Sequence, residues 1–207
     1  LGANGAIYAI RRELFEPIPG NTLIDDFVLP LLAKLRSGCS IIYDPSAVAY
    51  EETALDVRSE FRRRSRIGAG GFQSIGILWR LINPRQGWVS LSFLSHKVLR
   101  WLCPFFMIGM LASNLLLLDS PFYRVMLATQ LGFYLISALM SFVPGSVKLL
   151  KPLRLTTMFT AMNLALFVGF WRWLLGTKNG VWARTERADR LPVIDADSQL
   201  LTTSAGQ

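Results

Sequence analysis

The chain has 207 residues, of which 52% are hydrophobic and only 17% are charged. With a mean hydropathy of +0.37, it is too apolar for an ordinary soluble domain, and this composition indicates a protein that enters a membrane. The formal net charge is +8, which in a membrane protein usually marks the cytoplasmic side and does not favour a nucleic-acid site. We therefore expect membrane lipid as a partner and no nucleic acid.

Residues 1–71 have the pattern of a soluble α/β segment. Short apolar runs between turn residues predict strands at residues 7–10, 40–43 and 47–50. The chain starts at Leu1, and no charged segment followed by an apolar one opens it. We therefore expect it to be the C-terminal part of a longer protein.

A helix is predicted over residues 22–38. Asp25 and Asp26 lie at its start, where acidic side chains suit the helix dipole. Gly38 is expected to end it.

A basic segment follows, with four arginines within five positions. They are Arg62, Arg63, Arg64 and Arg66. They are predicted to lie on a helix that Gly68, Gly70 and Gly71 should weaken or break. Residues 72–82 resume helical spacing, with an apolar stripe of Phe72, Ile75, Trp79 and Ile82 on one side. The amphipathic segment 72–97 is expected to lie in the membrane interface.

Three long apolar runs complete the hydrophobic part of the chain. They predict membrane spans at about residues 98–118, 122–143 and 155–175, followed by a polar tail at 177–207. The positive-inside rule places residues 1–97 on the cytoplasmic side of the inner (plasma) membrane, in a multi-pass protein. Three full spans would put the tail outside, whereas its basic residues favour the inside, so the third run is either a full span or a re-entrant one.

Two sets of residues are candidates for chemistry, and each also has a purely structural interpretation. Asp26 is either a helix-start acid that serves the dipole or a general base that takes a proton from a hydroxyl nucleophile. The arginines are either a solvated basic face, with Glu60 and Arg64 paired one turn apart, or a clamp for a diphosphate leaving group. In the second case Arg62, Arg63, Arg66 and Gln73 would project to roughly one side of the helix, because their spacings are three, four and seven positions.

The order of four short segments is more specific than any one of them. Two lie early: Asn4-Gly5-Ala6 before Arg11-Arg12, and Ile24-Asp25-Asp26. Two come later: Arg63-Arg64-Ser65-Arg66-Ile67, and residues 182–187 with the sequence WARTER.

In this order the segments resemble the C-terminal half of a processive, membrane-embedded family 2 glycosyltransferase, the group of cellulose, chitin and hyaluronan synthases and bacterial exopolysaccharide polymerases. Asp26 matches the last acid of the T-E-D motif, which is the catalytic base of the family. Arg66 matches the arginine of Q-x-x-R-W, while Arg63 stands in place of the Gln and Ile67 in place of the Trp. These departures leave open the transfer of only one or a few sugars.

The resemblance implies an inverting enzyme that moves a sugar from a nucleotide-sugar donor to a saccharide or lipid-linked acceptor, in exopolysaccharide or cell-surface glycan synthesis. It implies an α/β fold in which residues 1–71 are the acceptor half of a GT-A-like domain. It also implies Mg²⁺ or Mn²⁺, with ligands upstream of residue 1 and none in this chain. The implied site roles are as follows: Asp26 is the base; Arg63, Arg64 and Arg66 bind the donor diphosphate; Asn4 and Gly5 bind the acceptor; Trp182, Thr185 and Arg187 gate the site or contact the nucleotide.

Two other classes of protein remain as alternatives. A transporter would carry ionisable residues inside its spans, whereas the predicted spans hold Asn114, Gln130 and Asn163 as their notable polar residues. A membrane-anchored scaffold without catalysis would use Asp26 and the arginines only structurally.

Overall fold

The computed structural model describes residues 7–49, 57–143 and 152–176. These residues form five long helices, joined by turns and by short 3₁₀ segments, and none of them forms a β-strand. The helices are α1 (Asp25–Ser37), α2 (Val57–Ile77), α3 (Trp88–Leu116), α4 (Pro121–Ser141) and α5 (Arg154–Leu174).

The predicted α/β fold is wrong for the part of the chain that the structure describes. Residues 7–10, 40–43 and 47–49 have no regular strand structure. Ile42 and Tyr43 are 83% and 86% exposed. A β-branched or aromatic residue favours a strand only where it packs on a pleated, half-buried surface, and a strand needs a partner. No such partner strand is available among the described residues.

Helix α1 follows its local sequence signals. It begins at Asp25, with both acids in the first turn, and ends before Gly38, whose φ of 68° lies in the left-handed region that glycine adopts at helix ends. Its buried residues Phe27, Val28 and Leu31 join the hydrophobic core with Leu78 and Phe93. The core therefore lies directly under the start of α1.

Helix α2 is continuous through its glycines, so the predicted break at residues 68–71 is wrong. The glycines allow close contacts with neighbouring elements. A Cβ built on Gly68 would lie 3.3 Å from the Cα of Leu166 in α5, and one on Gly71 would lie 2.5 Å from the indole of Trp101 in α3. Each glycine costs about 1 kcal/mol of helix propensity relative to alanine, and this cost is offset by the packing that the missing side chain permits.

Phe72 is part of the core and does not lie on an exposed interfacial face. It is 4% exposed and meets Phe170 of α5 edge-on at a centroid distance of 5.1 Å. Trp79, in contrast, is 67% exposed and lies in a 3₁₀ turn, Trp79–Ile82, that follows the end of α2. The apolar stripe predicted over residues 72–82 is therefore divided between the core and the surface.

Helices α3 and α4 are long and apolar enough to cross a membrane, and most of their surface is not covered by the rest of the protein. The 29 residues of α3 span about 43 Å at ~1.5 Å per residue, which exceeds a hydrocarbon thickness of about 30 Å. The helix is therefore longer than this layer is thick. Helix α5 has 21 residues but is not among the described helices that reach the hydropathy of α3 and α4.

A buried polar network joins α3 to α4. The Asn114 side chain donates a hydrogen bond to Gln130 Oε1 at 3.1 Å. The Gln130 amide in turn donates to the Met107 carbonyl at 3.1 Å and to the Tyr134 hydroxyl at 2.9 Å. Hydrogen bonds of this kind hold apolar helices in one register.

Candidate functional site

Asp26 lies in the first turn of α1, directly above the hydrophobic core. It is half-buried, and the next residue, Phe27, is buried. Pro30, one turn later, has no N–H to donate to the Asp26 carbonyl. The acid therefore occupies a helix start that a neighbouring element partly covers and that solvent still reaches.

The environment of Asp26 favours its protonated form more than water does. Burial raises the pKa of Asp26, and the negative charge of Asp25 raises it further. The backbone N–H groups of Phe27 and Asp26 and the charge of Lys97 act in the opposite direction, but the pKa stays above its ordinary value. A carboxylate with a raised pKa holds a proton more strongly, which suits a general base.

A lysine of α3 reaches the start of α1. Lys97 Nζ lies 4.7 Å from the centroid of the Phe27 ring. The sequence marked Lys97 only as a basic residue flanking the first predicted span and gave it no role at the site, because it lies 71 positions along the chain from Asp26. Only the packing of α3 against α1 brings it to the site.

The Gln73 side chain of α2 is hydrogen-bonded to the backbone of the segment that leads into α1. Its amide nitrogen donates to the Asn21 carbonyl at 2.9 Å, and its amide oxygen accepts from the Leu23 N–H at 2.9 Å. The sequence placed Gln73 with the arginines on a phosphate-binding side, whereas its amide is engaged with the backbone. Gln73 therefore positions Asp26 through the chain that precedes it.

One face of α2 runs along the start of α1, and Arg66 lies on it. A Cβ on Gly70 would come within 2.9 Å of the Ile24 side chain, so Gly70 touches the residue before α1. Arg66 precedes Gly70 by four positions and Gln73 follows it by three, which places all three on one side of the helix. Arg66 is half-buried, and no hydrogen bond or ion pair to it is found within the described ranges.

Arg63 and Arg64 are held by an acid of their own helix. Arg63 Nε lies 2.8 Å from Glu60 Oε2, and Arg64 Nε lies 2.6 Å from Glu60 Oε1. The hydrogen bond from Arg63 is the main reason that the pKa of Glu60 is lowered. Two of the three predicted diphosphate ligands, Arg63 and Arg64, are thus paired with Glu60 within α2, whereas Arg66 is not paired with that acid.

Five of the predicted site residues lie outside the described residues. These are Asn4, Gly5, Trp182, Thr185 and Arg187, and their roles stay predictions. In the part of the chain that is described, no group of three or more His, Cys, Asp or Glu side chains could hold a metal ion. The Asp25–Asp26 pair does not make up a Mg²⁺ or Mn²⁺ site on its own, because such ions prefer six ligands.

A cavity of about 250 Å³ lies on another side of α1. The segment around Pro17 covers it, and Leu29, Leu32 and Ile77 contribute to its walls, whereas Asp26 does not line it. The candidate site is therefore the open start of α1 and not this cavity.

Comparisons with protein-family models, with curated proteins and with solved structures found no match to this chain.

Proposed function

We propose that this chain takes part in the inverting transfer of a sugar from a nucleotide-sugar donor to a saccharide or lipid-linked acceptor at a membrane, with Asp26 as the general base. The observation that supports this most is the half-buried Asp26 with its raised pKa, at a helix start where the Arg66 face of α2 meets α1. An acid and a cation on adjoining elements suit a reaction in which a hydroxyl loses a proton and a diphosphate leaves.

The proposed step is a single displacement. Asp26 accepts the proton of an acceptor hydroxyl while that oxygen forms a bond to the anomeric carbon of the donor. The bond from that carbon to the nucleoside diphosphate breaks, and the configuration inverts. Arg66 stabilises the negative charge that develops on the diphosphate, since an arginine fork matches phosphate oxygens. No step is assigned to Mg²⁺ or Mn²⁺, because the described residues offer no ligand cluster for it.

The membrane arrangement belongs to the same proposal. Helix α5 is a third span beside α3 and α4, and residues 1–97 face the cytoplasm at the inner membrane. The packing of α5 along α2 supports this arrangement, because it would hold the Arg66 helix against the membrane part. The donor would then be drawn from the cytoplasm and the acceptor from the membrane surface.

A non-catalytic membrane scaffold is the second candidate. The pairing of Arg63 and Arg64 with Glu60 favours it, since arginines paired in this way stabilise a helix without any ligand.

A donor panel tests the two candidates against each other. The full-length protein is reconstituted in lipid and incubated with labelled nucleotide sugars, divalent metal and a mixture of lipid and oligosaccharide acceptors. We expect transfer from at least one donor, with an inverted anomeric configuration in the product. A product with retained configuration would contradict the single displacement, and the absence of transfer and of nucleoside-diphosphate release from every donor would favour the scaffold.

A further inference from the structure

A single π-helical turn interrupts α3 near its start. It spans Leu94–Val98, between the α-helical parts Trp88–Phe93 and Leu99–Leu116. One wide turn inside an α-helix changes the direction in which the following side chains point, and such turns are frequent at functional sites. Lys97 lies in this turn.

The packing around Phe27 gives Lys97 a defined position. The Phe27 ring stacks on Phe93 at a centroid distance of 6.2 Å and meets Trp101 edge-on at 6.1 Å. Lys97 is half-buried, with its ammonium 4.7 Å from the centroid of the same ring. A cation over an aromatic face is attracted by the quadrupole of the ring, whose face is electron-rich. The aromatic cluster therefore fixes the ammonium beside the residue that follows Asp26.

The charges near Asp26 act on its ionisation in opposite directions. Asp25 adds negative charge from the same turn, and Lys97 is the one described cation whose charge favours ionised Asp26. Arg100 lies one turn beyond Lys97 and is exposed. The charges that act on Asp26 are those of Asp25 and Lys97. Tyr8 is influenced by both acids, Arg100 acts on Lys97, and His96 precedes Lys97 in the same turn.

We propose that Lys97 is a positioning residue for Asp26, whose ammonium, held over the adjacent Phe27 ring, favours the ionised carboxylate at the start of α1. This inference deepens the proposed function and rests on it. Burial and the charge of Asp25 both raise the pKa of Asp26, which favours its protonated form. A protonated acid cannot accept a proton from a hydroxyl. The charge of Lys97 acts against both causes, although the pKa of Asp26 stays raised. Burial and Arg100 lower the pKa of Lys97 itself, whereas the charge of Asp26 raises it.

The test compares Lys97→Met with Lys97→Arg and with Arg100→Met. The chain is labelled with ¹³C at its aspartate carboxyls, placed in lipid nanodiscs and titrated by NMR, with Asp26 identified by its absence from the Asp26→Asn spectrum. We expect Lys97→Met to raise the pKa of Asp26 further, because an opposite charge is lost. We expect Lys97→Arg to titrate close to wild type and Arg100→Met to shift Asp26 less than Lys97→Met does. Lys97→Gln serves in place of Lys97→Met if the latter does not fold.

A second readout links the residue to the reaction. In the full-length protein, the acid limb of the transfer rate against pH should move to higher pH in Lys97→Met by the same amount as the NMR titration. An unchanged Asp26 titration in both neutral variants would overturn the proposal, whatever the activity. A shifted titration together with normal transfer by Asp26→Asn would overturn the base assignment and still establish the coupling of Lys97 to Asp26.

Discussion

The Gln73 side chain accepts a hydrogen bond from the backbone N–H of Leu23 at 2.9 Å, across 50 positions of sequence. Together with the bond that its amide donates to Asn21, this contact holds α2 and the start of α1 at a fixed spacing. The base candidate and the arginine candidate are carried by these two helices. A single side chain therefore controls the geometry on which their cooperation depends.

The first prediction concerns this contact. Gln73→Met keeps the length of the side chain and loses both hydrogen bonds, which are worth about 1 kcal/mol each at most, since both are partly open to solvent. We expect a lower thermal midpoint of unfolding and slower transfer in the full-length protein. Gln86→Met, at an exposed position in the 3₁₀ turn Pro84–Gln86, is the matched control and should change neither. Equal midpoints and rates for the two variants would show that the contact does not position the site.

The second prediction concerns the glycines of α2. Gly71→Ala would bring a methyl group to 2.5 Å from the Trp101 indole, so we expect a loss of about 1–3 kcal/mol, the usual cost of overpacking. Gly76→Ala lies on the same helix with nothing within 4 Å of the new Cβ and should stabilise the protein by about 0.5–1 kcal/mol. Thermal unfolding in nanodiscs measures both. A stabilising Gly71→Ala would mean that α2 does not approach α3 as described.

The third prediction is a pH dependence with a defined sign. Because the folded state raises the pKa of Asp26, the folded chain binds this proton more strongly than the unfolded chain. The free energy of unfolding contributed by this group is therefore highest at low pH and falls as pH rises through the raised pKa. Asp26→Asn should have a thermal midpoint that exceeds that of the wild type increasingly as pH rises from the ordinary aspartate pKa through the raised pKa of Asp26.

Asp25→Asn gives the internal check on this sign. Removing the charge of Asp25 removes the second cause of the raised pKa of Asp26. The wild-type pH dependence should therefore become shallower without reversing. A midpoint difference for Asp26→Asn that shrinks towards neutral pH would contradict the described burial of the carboxyl.

The fourth prediction separates the arginines. Arg66→Ala should weaken inhibition by nucleoside diphosphate and slow transfer, because Arg66 lies on the α2 face that meets α1. Arg63→Ala should have a milder effect on inhibition, since Arg63 is paired with Glu60. Inhibition constants measured in the full-length protein compare the two variants directly. Unchanged constants in both would favour a purely structural role for the basic helix.

The sequence predicted the helices whose formation depends mainly on residues nearby in the chain. The acids at the start of α1 and Gly38 at its end placed that helix within a few residues of its observed bounds, Asp25–Ser37. The apolar runs predicted α3 and α4 for the same reason, since length and hydropathy need no tertiary context.

The predictions that failed depended on contacts with other parts of the fold. Residues 40–43 have strand composition, but no neighbouring strand pairs with them in the described structure. From the sequence alone, Gly68 and Gly71 indicate a helix break, because their close contacts with Leu166 and Trp101 are visible only in the fold. The contact of Lys97 with Phe27 could not be predicted for the same reason, because an aromatic cluster built from two helices creates it.

The most direct measurement of the central claim is the transfer rate of the full-length protein carrying Asp26→Asn, compared with the wild type and with Asp25→Asn. The account predicts that Asp26→Asn loses roughly 10²-fold or more in rate, the usual scale for a positioned base, while expression and nucleoside-diphosphate binding are kept. Asp25→Asn should lose much less. Transfer by Asp26→Asn at the wild-type rate would contradict the assignment of Asp26 as the base.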